Sequence, residues 1–243
     1  FHLAAQVTIR GSFDRFVEDL ETNVIGTARL LRALDPARIR WFTLASSMAV
    51  YADAPSPAPI GESYPVRPLS PYGVGKLAAE DVSTQILAAR GIPFTALRFF
   101  NTYGRGQTFT PYVGVLTIFI TRLLRGEPIT IFGDGEQQRD FIHVSDIVSG
   151  VLAAPGGTPG CYNLGTGRGT SLNQLAAMVI GRLAPGQQAQ HAPAQSGELR
   201  FSVADISAAR RALSFAPVRS LDRDVDEVIA HIRAREGPLE RGR

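Results

Sequence analysis

Residues 40–47 read RWFTLASS: an apolar run from Arg40 to Leu44, closed by Ala45 and the pair Ser46-Ser47. A short apolar run ending in small hydroxyl residues predicts a buried strand. Upstream, Phe13, Phe16, Val17, Leu20, Val24, Ala28 and Leu31 recur at helical spacing. They predict a helix over 13–34 that Asp35-Pro36 stops. Before it, Phe1 to Ala5 read as another short buried strand. Downstream, Pro55, Pro57, Pro59, Pro65 and Pro68 make 52–71 a loop. A helix follows over 71–90, with Pro71 at its start and Gly91 beyond its end. Ile92 to Phe100 read as a third strand. Strand, helix, strand, helix, strand in succession predicts an α/β domain built on a parallel sheet.

After Asn101 glycines, aromatics and turn dipeptides become frequent. Residues 113–124 read as a helix, 129–132 as a short strand and GDGEQQRD (133–140) as a polar turn. A strand over 140–144 leads into a helix over 144–154. Residues 156–160 read as a loop and 171–183 as a helix capped by Ser171 or Thr170. Residues 184–196 read as a loop, and 204–232 as two helices separated by Pro217.

The chain has 243 residues, room for one large domain or two small ones. Its 44% hydrophobic and 19% charged residues suit a globular chain with a buried core. The net charge of +3 comes from arginines spread singly or in pairs, with no basic run of the kind that binds nucleic acid. Cys161 is the only cysteine, which excludes an intrachain disulfide and suits a reducing compartment such as the cytoplasm. No apolar stretch approaches the roughly 18 residues that span a bilayer. The longest, 113–124, is broken by Thr117, Thr121 and Arg122. No targeting segment is visible.

Four constellations carry chemistry. Tyr72-Gly-Val-Gly-Lys76 places a phenol and an ammonium at i and i+4, on one helical face. A cation beside a Tyr favours the phenolate, so Lys76 is expected to lower the Tyr72 pKa from about 10 and make it a base for a sugar hydroxyl. The same spacing also occurs on ordinary surface helices. Ser46 and Ser47 end a strand, where parallel α/β sheets place ligands, although a serine pair also caps loops. Asn101 falls at the end of the next strand and reads as a ligand contact or a turn residue. Arg139 follows Gly133-Asp134-Gly135 and suits phosphate recognition, or is a solvated hairpin arginine. The four histidines lack ligand spacing, so no metal is expected. His143 reads as a satisfied strand residue and Cys161 as packing. The G-x-S-x-G elbow of hydrolases is absent.

Taken in order, HLAAQ, ASSMAVY, YGVGK, LRFFNTYG, GEPITIFGDGEQQRDFIHVSDI, YNLGTG and GELRFSVAD resemble the extended short-chain dehydrogenase/reductases. The closest likeness is to the NAD-dependent nucleotide-sugar epimerase/dehydratase family, over residues 1 to about 232. The resemblance implies a partial Rossmann-type doubly wound parallel sheet plus a smaller α/β substrate-binding lobe. The nucleotide lobe would take residues 1–102 with 139–155, and the substrate lobe 103–138 and 156–243. HLAA would be the sheet's fourth strand. The first strand, the GxxGxxG turn and the ribose-binding acid would precede Phe1, and this sequence contains none of them. The chain is therefore expected to be a fragment that folds poorly, binds NAD weakly and is inactive by itself.

The same resemblance implies that Tyr72 is the catalytic base, that Lys76 holds the nicotinamide ribose and polarises Tyr72, and that Ser47 is the catalytic hydroxyl. Leu3, Ala4, Ala5, Gln6, Asn23, Ala45, Ser46 and Phe99 would lie along NAD. Asn101 and Arg139 would grip the phosphates of a UDP- or dTDP-hexose, and Ser202 would gate the sugar pocket, its small size leaving room for an N-acetyl group. Dehydratases of the family carry Asp-Glu after the catalytic hydroxyl. Here Met48-Ala49 stand there, which favours C4 epimerisation through a 4-keto sugar over dehydration. The alternatives are an NAD(P)-dependent keto-sugar reductase and a non-catalytic sugar-nucleotide-binding fragment. Tyr51 precedes Ala52 where the family usually has Gly, and residues 194–196 lack an Arg that many members use on the phosphates, for which Arg200 is the candidate substitute. A homodimer is expected through the helix holding Tyr72 and the one before it, with Leu77, Ile86 and Leu87 as apolar surplus.

Overall fold

The computed structural model describes residues 1–107, 114–194 and 199–236. The helix read over 13–34 consists of α1 (Gly11–Asp14), α2 (Phe16–Leu20), a π-helical turn (Glu21–Ile25) and α3 (Gly26–Ala33). RWFTLASS becomes β1 (Phe42–Ser47), buried along its whole length. α4 (Pro71–Ala89) follows the proline loop. Ser70 caps it by accepting from Gly73 N at 3.2 Å, and Pro71 occupies the first turn, where a missing N–H costs nothing. Gly91 ends it at φ +65°, a conformation that favours glycine. β2 (Phe94–Phe99) runs parallel to β1 with Ser46 opposite Arg98 and Ser47 opposite Phe99. One residue, Phe100, separates β2 from β3 (Asn101–Tyr103).

The remaining elements are α5 (Val115–Leu124), β4 (Thr130–Phe132), β5 (Gln138–His143), α6 (Val144–Ala153), β6 (Gly160–Leu164), β7 (Gly169–Ser171), α7 (Leu172–Leu183), β8 (Gln190–Ala192), β9 (Phe201–Ser202), α8 (Ser207–Leu213) and α9 (Leu221–Glu236). Ser171, one of the two expected caps of α7, forms a reciprocal capping box with Gln174. The first sheet is parallel, in the order β1-β2-β6. β5 centres a second sheet, paired with β3, β7 and β9, and β4 pairs with β8. An apolar cluster of Leu31, Phe42, Leu44, Leu87 and Ile92 fixes α3 and α4 on β1. Fully burying a leucine such as Leu87 contributes about 2 kcal/mol. A second cluster (Tyr51, Leu97, Phe100, Ile142, Leu164) joins the first two sheets, and a third (Phe119, Ile120, Phe141, Leu175, Val225) lies under β5.

Several expectations change. Residues 1–5 form no continuous strand: only His2 bridges to Leu44, while Leu3 and Ala4 are exposed. Residues 190–192, read as loop, pair in parallel with β4. β6 and the segment around Ala204–Phe215, placed by sequence with the substrate lobe, pair with β2 or pack in the cluster of Leu97 and Leu164. Leu87 is fully buried and is no surplus, whereas Ile86 is 38% exposed. Val113 and residues 195–198 lie outside the described residues. No described helix is long and apolar enough to cross a membrane.

Candidate active site

β1 ends at Ser47, where the chain leaves the sheet in a 3₁₀ turn, Met48–Val50, that Ser47 Oγ caps by accepting from Ala49 N at 3.2 Å. The first turn of α4 crosses this exit so closely that only glycine fits at position 73. A Cβ there would lie 2.2 Å from Ala49 O. Ser12 Oγ accepts from Tyr72 N at 3.1 Å, which ties α1 to the same turn. Tyr72, Lys76 and Ser47 are all buried.

Lys76 donates from Nζ to Ala45 O at 2.9 Å, and its Nζ sits 6.0 Å from the centre of the Tyr72 ring. A hydrogen bond with Ser47 favours the Tyr72 phenolate, but burial outweighs it, and Asp19 adds to the upward shift. The phenol is thus pushed up to about 12, against the expected lowering. Burial also lowers Lys76 to about 8, opposed by the negative charges of Asp19 and Glu80. Desolvation therefore dominates both groups.

Asn23 is buried, and its amide makes paired 3.0 Å bonds with the Gln6 backbone and a third to Asp19 Oδ1. It therefore shapes the segment holding Leu3, Ala4, Ala5 and Gln6. Ser46 turns to the opposite face from Ser47 and donates its hydroxyl to Glu80, so its side chain is spent away from Ser47 and Tyr72. Phe99 is half-buried opposite Ser47. Asn101 Oδ1 is buried and has no partner among the described residues. Asn101 pairs with Phe141, so Arg139 lies back along β5 toward the end of β2. Arg139 is buried and donates to Gln138 O at 2.9 Å. Ser202, on β9, is its register partner and is fully buried, with its Oγ unpartnered among the described residues. Arg200, the candidate phosphate arginine, pairs with Asp134 at 2.7 Å. His143 is satisfied by Ser145 and Glu227. Cys161 is half-buried, with its thiol pushed up to about 12 by burial.

Comparison with known proteins decides the family. Residues 1–165 match the NAD dependent epimerase/dehydratase family. A putative UDP-glucose 4-epimerase of Methanocaldococcus jannaschii is 32% identical, the match covering 94% of this chain and 74% of the relative. The crystal structure of UDP-glucose 4-epimerase from Thermotoga maritima with UDP-glucose superposes with a TM-score of 0.92 at 32% identity, over 98% of this chain and 77% of that one. MoeE5 in complex with UDP-glucose and NAD gives 0.87 at 36% identity, over 98% and 79%.

The chain belongs to the NAD dependent epimerase/dehydratase family.

Its α/β fold with a parallel sheet is the family's, and NAD is the family's cofactor. The donor set at the sheet end fits that cofactor. Lys76 spends one of its three ammonium hydrogens on Ala45 O, and no other hydrogen-bond acceptor meets it among the described residues. Two donors remain for ribose hydroxyls. Beside them, apolar Leu3 and Ala4 are turned outward while neighbouring His2 is buried, leaving a surface that a dinucleotide would cover. Among 25 lysines and arginines, Lys76 is the only lysine. An ammonium shifts its pKa on burial far more readily than a guanidinium does. Sequence reasoning missed Asp19 and Glu80. Glu80 follows Lys76 by four residues on the same helical face, and that spacing was the available signal.

Proposed function

We propose that this protein interconverts nucleotide-activated hexoses by epimerisation at C4, with UDP-glucose and UDP-galactose as the type substrates. The observation that carries the reading is the convergence of Ser47, Tyr72 and Lys76 at the C-terminal end of β1. NAD, when bound, supplies a hydride acceptor that is cationic in its oxidised form and returns the hydride later in the same turnover. Lys76, with Leu3, Ala4, Ala5, Gln6 and Phe99, would hold it. Ser47 orients the sugar O4 hydroxyl toward Tyr72. Tyr72 must first ionise: the positive charge of Lys76 and of bound NAD would offset the burial that raises the phenol, its proton leaving to solvent, and the phenolate so formed takes the O4 proton. The proton is returned by Tyr72 when the alcohol re-forms. Lys76 keeps positive charge beside the ring and so stabilises the phenolate as it develops. Burial excludes water and strengthens these interactions. Arg139 and the side-chain NH2 of Asn101 would donate to the nucleotide diphosphate, while the Asn101 amide oxygen, unpartnered among the described residues, would accept from a sugar or ribose hydroxyl. Met48-Ala49 offer no acid for eliminating water, which supports epimerisation over dehydration. Apolar Phe13, Phe16, Val17 and Val74 are exposed on α1, α2 and α4, which supports a homodimer through these helices.

The test is turnover of UDP-glucose against UDP-galactose, with the N-acetyl pair beside it, by protein supplied with NAD. Tyr72→Phe should abolish the interconversion and leave the fold intact. Failure of wild-type protein that binds NAD to equilibrate either pair would refute the reading.

A further inference from the structure

Glu80 is the residue whose chemistry the reaction above does not use. Its carboxylate is almost fully buried and accepts from Arg98 Nε at 3.0 Å and Nη2 at 2.7 Å in a two-pronged pair. A third bond comes from Ser46 Oγ. The donors are one cross-strand pair, Ser46 opposite Arg98, set one residue before Ser47 and Phe99. Glu80 stands on α4 one turn beyond Lys76 and two turns beyond Tyr72. One carboxylate therefore joins the helix that carries the phenol and the ammonium to the two strand ends that carry the hydroxyl and Phe99.

Arg98 continues the connection. Its guanidinium stacks 4.8 Å from the centre of the buried Tyr51 ring. The Tyr51 hydroxyl donates to Asn163 Oδ1 at 2.6 Å, and Asn163 Nδ2 donates to Ile60 O and Asp205 O. A buried ion pair is seldom more stabilising than apolar side chains of the same volume, because desolvation cancels most of the attraction. What it supplies better than an apolar contact is direction: a bidentate pair allows one orientation.

We propose that Glu80 is a positioning residue for the Tyr72–Lys76 pair: held by Arg98 and Ser46, it sets where α4 lies against the ends of β1 and β2, and it places a negative charge one turn from Lys76. This rests on the epimerase reading for its catalytic consequence, but not for its electrostatic one. The groups facing Lys76 are Asp19 from α2, His2 from the first segment, and Tyr72 and Glu80 from α4 itself. Among them Asp19 and Glu80 hold its proton on, and burial opposes them.

The experiment uses the full chain labelled with [ε-¹³C]lysine, which yields one side-chain resonance because Lys76 is the only lysine. In wild type it should titrate near the value of about 8. Two variants are compared: Glu80→Gln, and the apolar double change Glu80→Leu with Arg98→Met, which removes the pair without stranding either charge. Both should lower the Lys76 midpoint by at least about 0.5 pH unit. In the double variant kcat should fall about 100-fold through misplacement of Tyr72, with KM for the UDP-hexose within about threefold of wild type. If Glu80→Gln fails to fold because Arg98 is left unpaired, the double variant decides alone. A folded double variant with wild-type kcat and an unmoved lysine midpoint would overturn the proposal. If wild-type protein that binds NAD turns over no UDP-hexose, the epimerase reading falls, while the lysine midpoint still decides the role of Glu80.

Discussion

Replacing Lys76 by Met should abolish activity and at the same time change how stability responds to pH. The native ammonium ionises near about 8, against an ordinary value of 10.5. Keeping it charged in the folded state at neutral pH therefore costs about 3 kcal/mol. Between those two values the unfolded chain binds a proton that the native chain has released, so stability rises with pH. From pH 8 to pH 9.5 the linkage relation gives a gain of about 1.5 kcal/mol. With a urea dependence of about 2.5 kcal/mol per M for a chain of this size, the wild-type midpoint should climb by about 0.6 M relative to the Met variant. Buried tyrosines and Cys161, whose pKa values are raised, act in the opposite sense, but they are present in both proteins and cancel in the difference. No second lysine exists to blur the comparison. The assay is a urea melt of both proteins at half-unit pH steps. Midpoints that run parallel across this window would refute the claim that Lys76 is buried as an ammonium at neutral pH.

Three further outcomes are expected. Gly73→Ala would push a methyl to 2.2 Å from Ala49 O, so α4 must back away from β1; stability should drop by about 2–3 kcal/mol in urea melts, and kcat should fall more than KM changes. Asp140, fully buried, accepts from Thr166 N and Oγ1, Gly167 N and Ala204 N; Asp140→Asn turns a donor toward some of these and should cost about 2–3 kcal/mol, read as a lowered thermal midpoint. Cys161, with its thiol pushed up to about 12, should react with a disulfide reagent at pH 8 far more slowly in native protein than after unfolding; equal rates would mean the thiol is not shielded.

Much of this architecture was legible in sequence because burial leaves a period. The apolar spacing of 13–34, the proline and glycine that bracket α4, and the serine cap of α7 each have a local cause. β8 left no such trace: Gln190 and His191 are exposed, and the strand exists only through its pairing with β4. The run FHLAA misled in the other direction, since apolar composition predicts burial but cannot say that Leu3 faces outward. The Tyr72–Lys76 spacing was visible, whereas the direction of the Tyr72 shift was not. That sign depends on how far burial outweighs a neighbouring charge, and depth is a tertiary quantity. Glu80 was similarly placed by its period, but its partners could be found only through the register that sets Ser46 beside Arg98.

The single residue between β2 and β3 has a mechanical meaning. Phe100 is 3% exposed, donates its backbone N–H to Leu164 O at 3.0 Å, and packs in the cluster that joins both sheets. A chain that passes between sheets through one clamped residue has no slack at the junction. The end of β2 beside Ser47 and the start of β3 beside β5 therefore move as one stiff beam. Swinging β5 and Arg139 away from the phenol would mean tearing that core, not turning a hinge. The distance between Ser47 at the end of β1 and Arg139 on β5 therefore stays constant, like the jaws of a fixed gauge.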